Sequence, residues 1–221
     1  MSKFDNRSQG DLFARSEDPI QHIQNNGLDV SYQPSAICEE LANQWFAALL
    51  EDVHWKQDVV TVYGKEHLTP RLSCWMGESW MSYSYSNTTM RPVPWQAFVQ
   101  QIKQQVEEVS GEQFNSVLIN YYRNGQDSNG WHSDDEPELG PEPLIASLSL
   151  GATRDFYLRE KKHYANKLSF SLEHGSLLVM RGKTQSHWQH HVPKRATAGP
   201  RINLTFRTIR FDGAGNAPKL T

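Results

Sequence analysis

Two cysteines in 221 residues, Cys38 and Cys74, leave no disulfide framework, and their spacing matches no zinc motif. No run approaches the roughly 18 apolar residues of a membrane span, so no membrane contact is expected. The opening "MSKFDNRSQGDLFARSEDP" is polar and charged, without an apolar segment, and no secretory signal is expected. The expected setting is a reducing cytoplasm, nucleoid-associated were the source bacterial. A positive surplus is missing too. The net charge of −3 argues against indiscriminate nucleic-acid binding, while leaving a local basic face open. Repeats and low-complexity tracts are absent. What remains is a chain with 38% apolar residues, enough for the core of one large domain.

Residues 1–30 show no sustained periodicity and are expected to form an irregular N-terminal arm, with 31–215 as a single domain. Ser35 to Trp55 predicts an amphipathic helix, because Ile37, Leu41, Trp45, Leu49 and Val53 recur at steps of four. Residues 59–94 mix β-formers, aromatics and turn residues and predict hairpins. A second helix is expected from Trp95, with Pro94 before it and Gly111 as its stop. From 112 to 210 short strands follow one another: "NSVLINYY", "PLIASLSLG", "TRDFYLRE", "NKLSFSLE", "GSLLVMR" and "RINLTFRTIR". Such a succession predicts an antiparallel sandwich or barrel, and helices that precede it predict an α+β class with helices supporting one sheet.

The chemistry begins at "GWHSDDE". His132 and Asp134 are two residues apart, so on an extended strand they leave the same face and supply two ligands of a metal site. Two histidines and one carboxylate with open positions suit non-haem Fe(II). The missing imidazole could come from His163, His174, His187, His190 or His191, and spacing alone does not choose. Downstream, "RINLTFR" places Arg201, Asn203, Thr205 and Arg207 on one strand face. Inward arginines need anionic partners, either protein carboxylates such as Asp134 or Asp155, or a dicarboxylate ligand. "REKKHYANK" and "PKRATAGPR" concentrate basic residues that suit either solvated loops or a binding face.

"VLINYYRNGQDSNGWHSDDE", "TRDFYLR", "HGSLLVM", "SHWQHHVP" and "PRINLTFR", in that order, resemble the AlkB family of Fe(II)/2-oxoglutarate-dependent dioxygenases. The likeness covers about residues 55–210 and is strongest to the duplex-DNA alkylation-repair subgroup. The resemblance implies a double-stranded β-helix (jelly-roll) core over 112–210, a lid of nucleotide-recognition hairpins over 59–94, and the use of Fe(II), 2-oxoglutarate and O2. It implies His132, Asp134 and His190 as iron ligands, His190 through its "W-x-H-x-x-P" setting. Arg201 would take the distal carboxylate of 2-oxoglutarate. Arg207 would orient Asp134, Asn120 and Tyr122 would hydrogen-bond the co-substrate, and Asn203 would join the same floor.

The implied reaction is oxidative demethylation of 1-methyladenine- or 3-methylcytosine-type bases in DNA, releasing formaldehyde, succinate and CO2. No catalytic group beyond the iron centre is assigned. Glu136 would read the lesion's exocyclic amino group, bridged by Tyr83, and Tyr85 would stack on the flipped base. Tyr63 would be a wedge, and Asp135 would brace Arg154 beside the substrate. Lys194 and Arg195, with Lys161, Lys162 and Lys167, would track phosphates. The expected partner is DNA and the expected state a monomer. The alternatives are a dioxygenase acting on RNA or a protein side chain, and a non-catalytic module that binds damaged DNA.

Overall fold

Asn26 and Gly27, at φ 49° and 78°, make a left-handed two-residue turn between β1 (Gln21–Asn25) and β2 (Leu28–Gln33). Both residue types accept φ > 0, which a tight hairpin of this twist requires. The irregular arm expected over 1–30 therefore gives way to a hairpin from Gln21 onward, and β2 pairs with a strand of the main sheet. The computed structural model describes residues 19–62, 64–79, 81, 83–85 and 88–210, with the backbone alone at 61, 62, 83–85 and 88–90.

After the hairpin come α1 (Glu39–Asp52), β3 (Val59–Val62), β4 (Lys65–Leu68), β5 (Leu72–Gly77), β6 (Tyr83–Tyr85), β7 (Thr88–Met90) and α2 (Ala97–Ser110). The strand-rich part runs through β8 (Ser116–Tyr122), β9 (Asn129–His132), β10 (Ile145–Gly151), β11 (Arg154–Glu160), β12 (Lys167–Leu172) and β13 (Ser176–Met180). The short α3 (Thr184–His187), β14 (Trp188–Val192) and β15 (Arg201–Arg207) complete it. Helix α1 is shorter than the periodic run suggests. Cys38 and Val53 are already extended, and Ile37 bonds through its N–H to the Gly175 carbonyl instead of continuing the helix. Helix α2 ends as its glycine signals, with Gly111 left-handed at φ 72°.

A seven-stranded sheet in the order β1-β2-β13-β10-β15-β8-β5 faces a four-stranded sheet, β12-β11-β14-β9, and β3-β4 and β6-β7 stand as separate hairpins. Among the described residues the two sheets pair their strands antiparallel, the arrangement of a jelly-roll sandwich. Alternation assigns the two faces of the large sheet. Ala146, Leu148 and Leu150 of β10 and Ile202, Leu204 and Phe206 of β15 pack with Trp45 and Leu49 of α1 and Val99, Ile102 and Val106 of α2. The opposite parity points between the sheets. There Leu178 and Met180 meet Phe156, Leu158, Phe170 and Trp188. The same parity brings Arg201, Asn203, Thr205 and Arg207 inward, so the helices fix the floor on which these polar groups stand. Among the described residues no helix is long and apolar enough to cross a membrane.

Candidate active site

The polar row of β15, together with Asn120 and Tyr122 of β8, lines a cavity of about 450 Å3. His190 enters it from β14 and His132 from the end of β9. They are cross-strand partners with ring centroids 4.2 Å apart. Asp134 arrives differently. Strand β9 ends at His132, so Asp134 is carried by the following loop rather than by the same strand face, and its N–H donates to Gln185 Oε1 at 3.0 Å. Ligand atoms of His132, Asp134 and His190 all lie within 4.8 Å of one another.

Protonation suits a cation here. Burial pushes His190 down to about 3, with His132 adding to the shift, so its ring is neutral at physiological pH. Burial raises the Asp134 pKa, but Arg207, His190 and His132 outweigh it and hold the group below the usual carboxylate range. Arg207 Nη2 donates to Asp134 Oδ1 at 2.9 Å. The His132 Nδ1–H, assigned from its surroundings, donates to the Gly130 carbonyl at 2.8 Å. Its Nε2 then keeps the lone pair, which accepts from Asn129 Nδ2 at 3.2 Å. A neutral imidazole, an ionised carboxylate and a second imidazole nitrogen with its lone pair inward form a donor set that fits Fe(II).

Arg201 answers the second question raised by the sequence. It is 1% exposed, its Nη2 donates to Ser149 Oγ at 2.9 Å, and its guanidinium carbon lies 5.1 Å from the Tyr122 ring centre. Burial lowers its pKa to about 10, so it remains a cation at neutral pH. Among the described residues its Nε and Nη1 meet no hydrogen-bond partner. A buried cation with two unspent donors is costly by itself and takes a carboxylate well. Asn120 is fixed by Arg71, whose Nε donates to Asn120 Oδ1 at 2.8 Å, leaving the amide NH2 for a ligand. Asn203 lines the cavity, but both its amide hydrogens are spent, on Ser147 Oγ at 2.8 Å and Leu148 O at 3.0 Å. These two bonds make it a brace of the cavity floor.

Glu136 also lines the cavity. Tyr83 and Tyr85 lie on β6, paired with β7, and their side chains are outside the description, as is the whole of Tyr63. Arg154 is a correction. It is fully buried and donates to the carbonyls of Asp127 at 2.8 Å and Pro193 at 2.5 Å, pinning the loop after β8 to the segment after β14. That leaves it no access to a substrate. Asp135 pairs with Lys161 at 3.0 Å instead of with Arg154. Arg195 forms an ion pair with Asp155, while Lys194, Lys162 and Lys167 are exposed. Sequence reasoning missed Arg71, Asn129 and Gln185. Each meets the site through strand register or loop packing, for which local spacing carries no signal.

The model of the 2OG-Fe(II) oxygenase superfamily matches residues 29–207. The chain is 47% identical over 184 residues to the alpha-ketoglutarate-dependent dioxygenase alkB homolog 3 of Bos taurus, covering 79% of this chain and 64% of that protein. It thus spans less than two thirds of that relative's length. It is 40% identical over 200 residues to the DNA oxidative demethylase ALKBH2 of Homo sapiens, covering 86% of this chain and 76% of that one. Among solved structures, OsALKBH1 superposes with a TM-score of 0.60 at 16% identity over 86% of this chain and all of its own, a likeness of fold.

Proposed function

The chain belongs to the AlkB family of the 2OG-Fe(II) oxygenase superfamily, and from that premise we propose that it oxidatively demethylates N-alkylated bases of the 1-methyladenine and 3-methylcytosine type in DNA. The observation that carries the reading is the cavity that joins a His132–Asp134–His190 triad to a buried, partly unpartnered Arg201. One relative is named a DNA oxidative demethylase, which supports DNA as the substrate.

Fe(II) with 2-oxoglutarate and O2 supplies oxidation of the N-methyl group, with succinate, CO2 and formaldehyde as products. The chain's own part is position and charge. His132, Asp134 and His190 hold the metal, and Arg207 keeps Asp134 ionised and oriented. Arg201 takes the far carboxylate of the co-substrate beside Tyr122, and Asn120, locked by Arg71, presents its NH2 to it. Glu136 places an acidic group on the cavity wall, where it favours a cationic lesion over a neutral base. Tyr85 stacks on the flipped base, Tyr83 bridges Glu136 to it, Tyr63 fills the gap that it leaves, and Lys194 follows the phosphates. The proposed state is a monomer, because one chain supplies the whole proposed ligand set, and the proposed setting is a reducing cytoplasm.

Mass spectrometry of 1-methyladenine and 3-methylcytosine oligonucleotides, single- and double-stranded, tests this with Fe(II), ascorbate and 2-oxoglutarate. The expected result is loss of one methyl mass with matching succinate, abolished in His132→Ala. Succinate without demethylation would move the substrate elsewhere.

A further inference from the structure

His190 pairs with His132 and Val192 with Asn129, so two steps along β14 match three along β9. The extra residue makes a β-bulge at Gly130 and Trp131, beside the triad. Its consequences are local and chemical. Without it, strict alternation would turn Asn129 away from the side that His132 faces. With it, both line the cavity, Asn129 reaches His132 Nε2, and the Gly130 carbonyl receives the His132 Nδ1–H. The bulge therefore decides which nitrogen of His132 is offered to a metal.

Bulges are often held by a glycine in the left-handed region. Gly130 is different. Its φ lies outside that region, and among the described residues a Cβ there would meet nothing within 4 Å. Something else must hold the extra residue. The outward neighbours of the two histidine ligands meet on the far side of the sheet. Trp131 stacks on His191 with centroids 3.9 Å apart and planes at 23°. The Arg159 guanidinium lies 4.1 Å over the Trp131 ring, and its Nε and Nη2 are anchored to Gln189 Oε1 at 3.1 and 2.9 Å. Tyr157 of β11 packs on His191 from the next strand, at 5.5 Å.

We propose that the Trp131–His191 stack, backed by Arg159, is the clasp that holds the β9 bulge and so positions His132 Nε2 for the metal. Trp131 does not line the cavity and is a positioning residue, acting through the backbone of the residue next to it. A ligand presented through a loosened bulge loses its fixed ring orientation, and such outer contacts are worth about 10- to 100-fold in metal affinity. The inference rests on the triad being the metal site.

Co(II) titration of the metal-free protein, followed by the visible ligand-field bands, tests both without relying on turnover. The unsubstituted protein is expected to bind one Co(II) and His132→Ala none; if the unsubstituted protein took up none, the metal-site reading itself would fail. Trp131→Leu is expected to bind Co(II) at least 10-fold more weakly with altered bands, and Trp131→Phe, which keeps a stacking ring, to recover most of the affinity. His191→Leu removes the same stack from β14 and should reproduce the loss, which covers the case of Trp131→Leu failing to fold. Unchanged Co(II) affinity and bands in the folded Leu variants would overturn the clasp, even if their DNA affinity fell. So would loss of Co(II) binding in Gly130→Ala alongside normal binding in Trp131→Leu, because the bulge would then rest on the glycine.

Discussion

Arg201→Ala would delete a fully buried guanidinium whose Nε and Nη1 await a partner, and the loss should fall on the co-substrate rather than on the metal. Truncating one side of a buried charge pair costs about 2–5 kcal/mol. Calorimetric titration of the Co(II)-loaded variant should therefore show 2-oxoglutarate affinity down roughly 30-fold or more, with Co(II) affinity near normal. Arg201→Lys should not rescue it, because an ammonium cannot reproduce the two-pronged donor geometry. Arg201 and Arg207 were legible in the sequence because four inward residues on one strand obey a period of two. Which histidine completes the triad was not legible from spacing. His190 and His191 differ only in parity, and their burial is decided by the sheet that β14 joins.

The element that carries His132 is anchored by a knot just before it. In the turn between β8 and β9, buried Asp127 accepts from the Arg123 N–H at 2.9 Å, from Arg123 Nε at 2.7 Å and from Nη2 at 2.9 Å. Arg154 grips the Asp127 carbonyl from β11. Burial pushes the Asp127 pKa up, but the Arg123 hydrogen bonds outweigh it and the net shift is downward. Its stabilisation is thus complete above the unfolded value of about 4 and drains away as pH falls through the lower folded value. Asp127→Ala should cost about 1–2 kcal/mol at neutral pH, discounted because Arg123 is half open to solvent. Thermal melts of the two proteins should separate at pH 7 and converge as the pH falls through the lowered folded value of Asp127; a gap that persisted in acid would assign the effect to packing. At this scale the helices and most strands could be read from periodicity and turn residues. The β1–β2 hairpin was announced by Asn26-Gly27, a signal that a search for long periodic runs passes over. The bulge in β9 had no sequence mark, because its glycine is conformationally ordinary.

Across the whole molecule, the floor of the cavity is the back of the helix-covered sheet. Leu204, buried between Asn203 and Thr205, faces α1 and α2 while its neighbours face the site. Leu204→Ala should cost about 2–5 kcal/mol and lower Tm by several degrees, read by differential scanning calorimetry. Ligands should act in the opposite direction, since both would bind only the folded pocket. Mn(II) and 2-oxoglutarate, each at a hundredfold excess over its Kd, are expected to add about 3 kcal/mol apiece, and a chelator should remove the metal's share. The most direct measurement of the account is a crystal structure of the protein grown anaerobically with Mn(II) and 2-oxoglutarate, with anomalous scattering to locate the metal. One Mn(II) peak is expected, bounded by His132, Asp134 and His190, with a 2-oxoglutarate carboxylate paired to Arg201. A metal peak elsewhere, or an Arg201 left without its carboxylate when 2-oxoglutarate is bound, would contradict it.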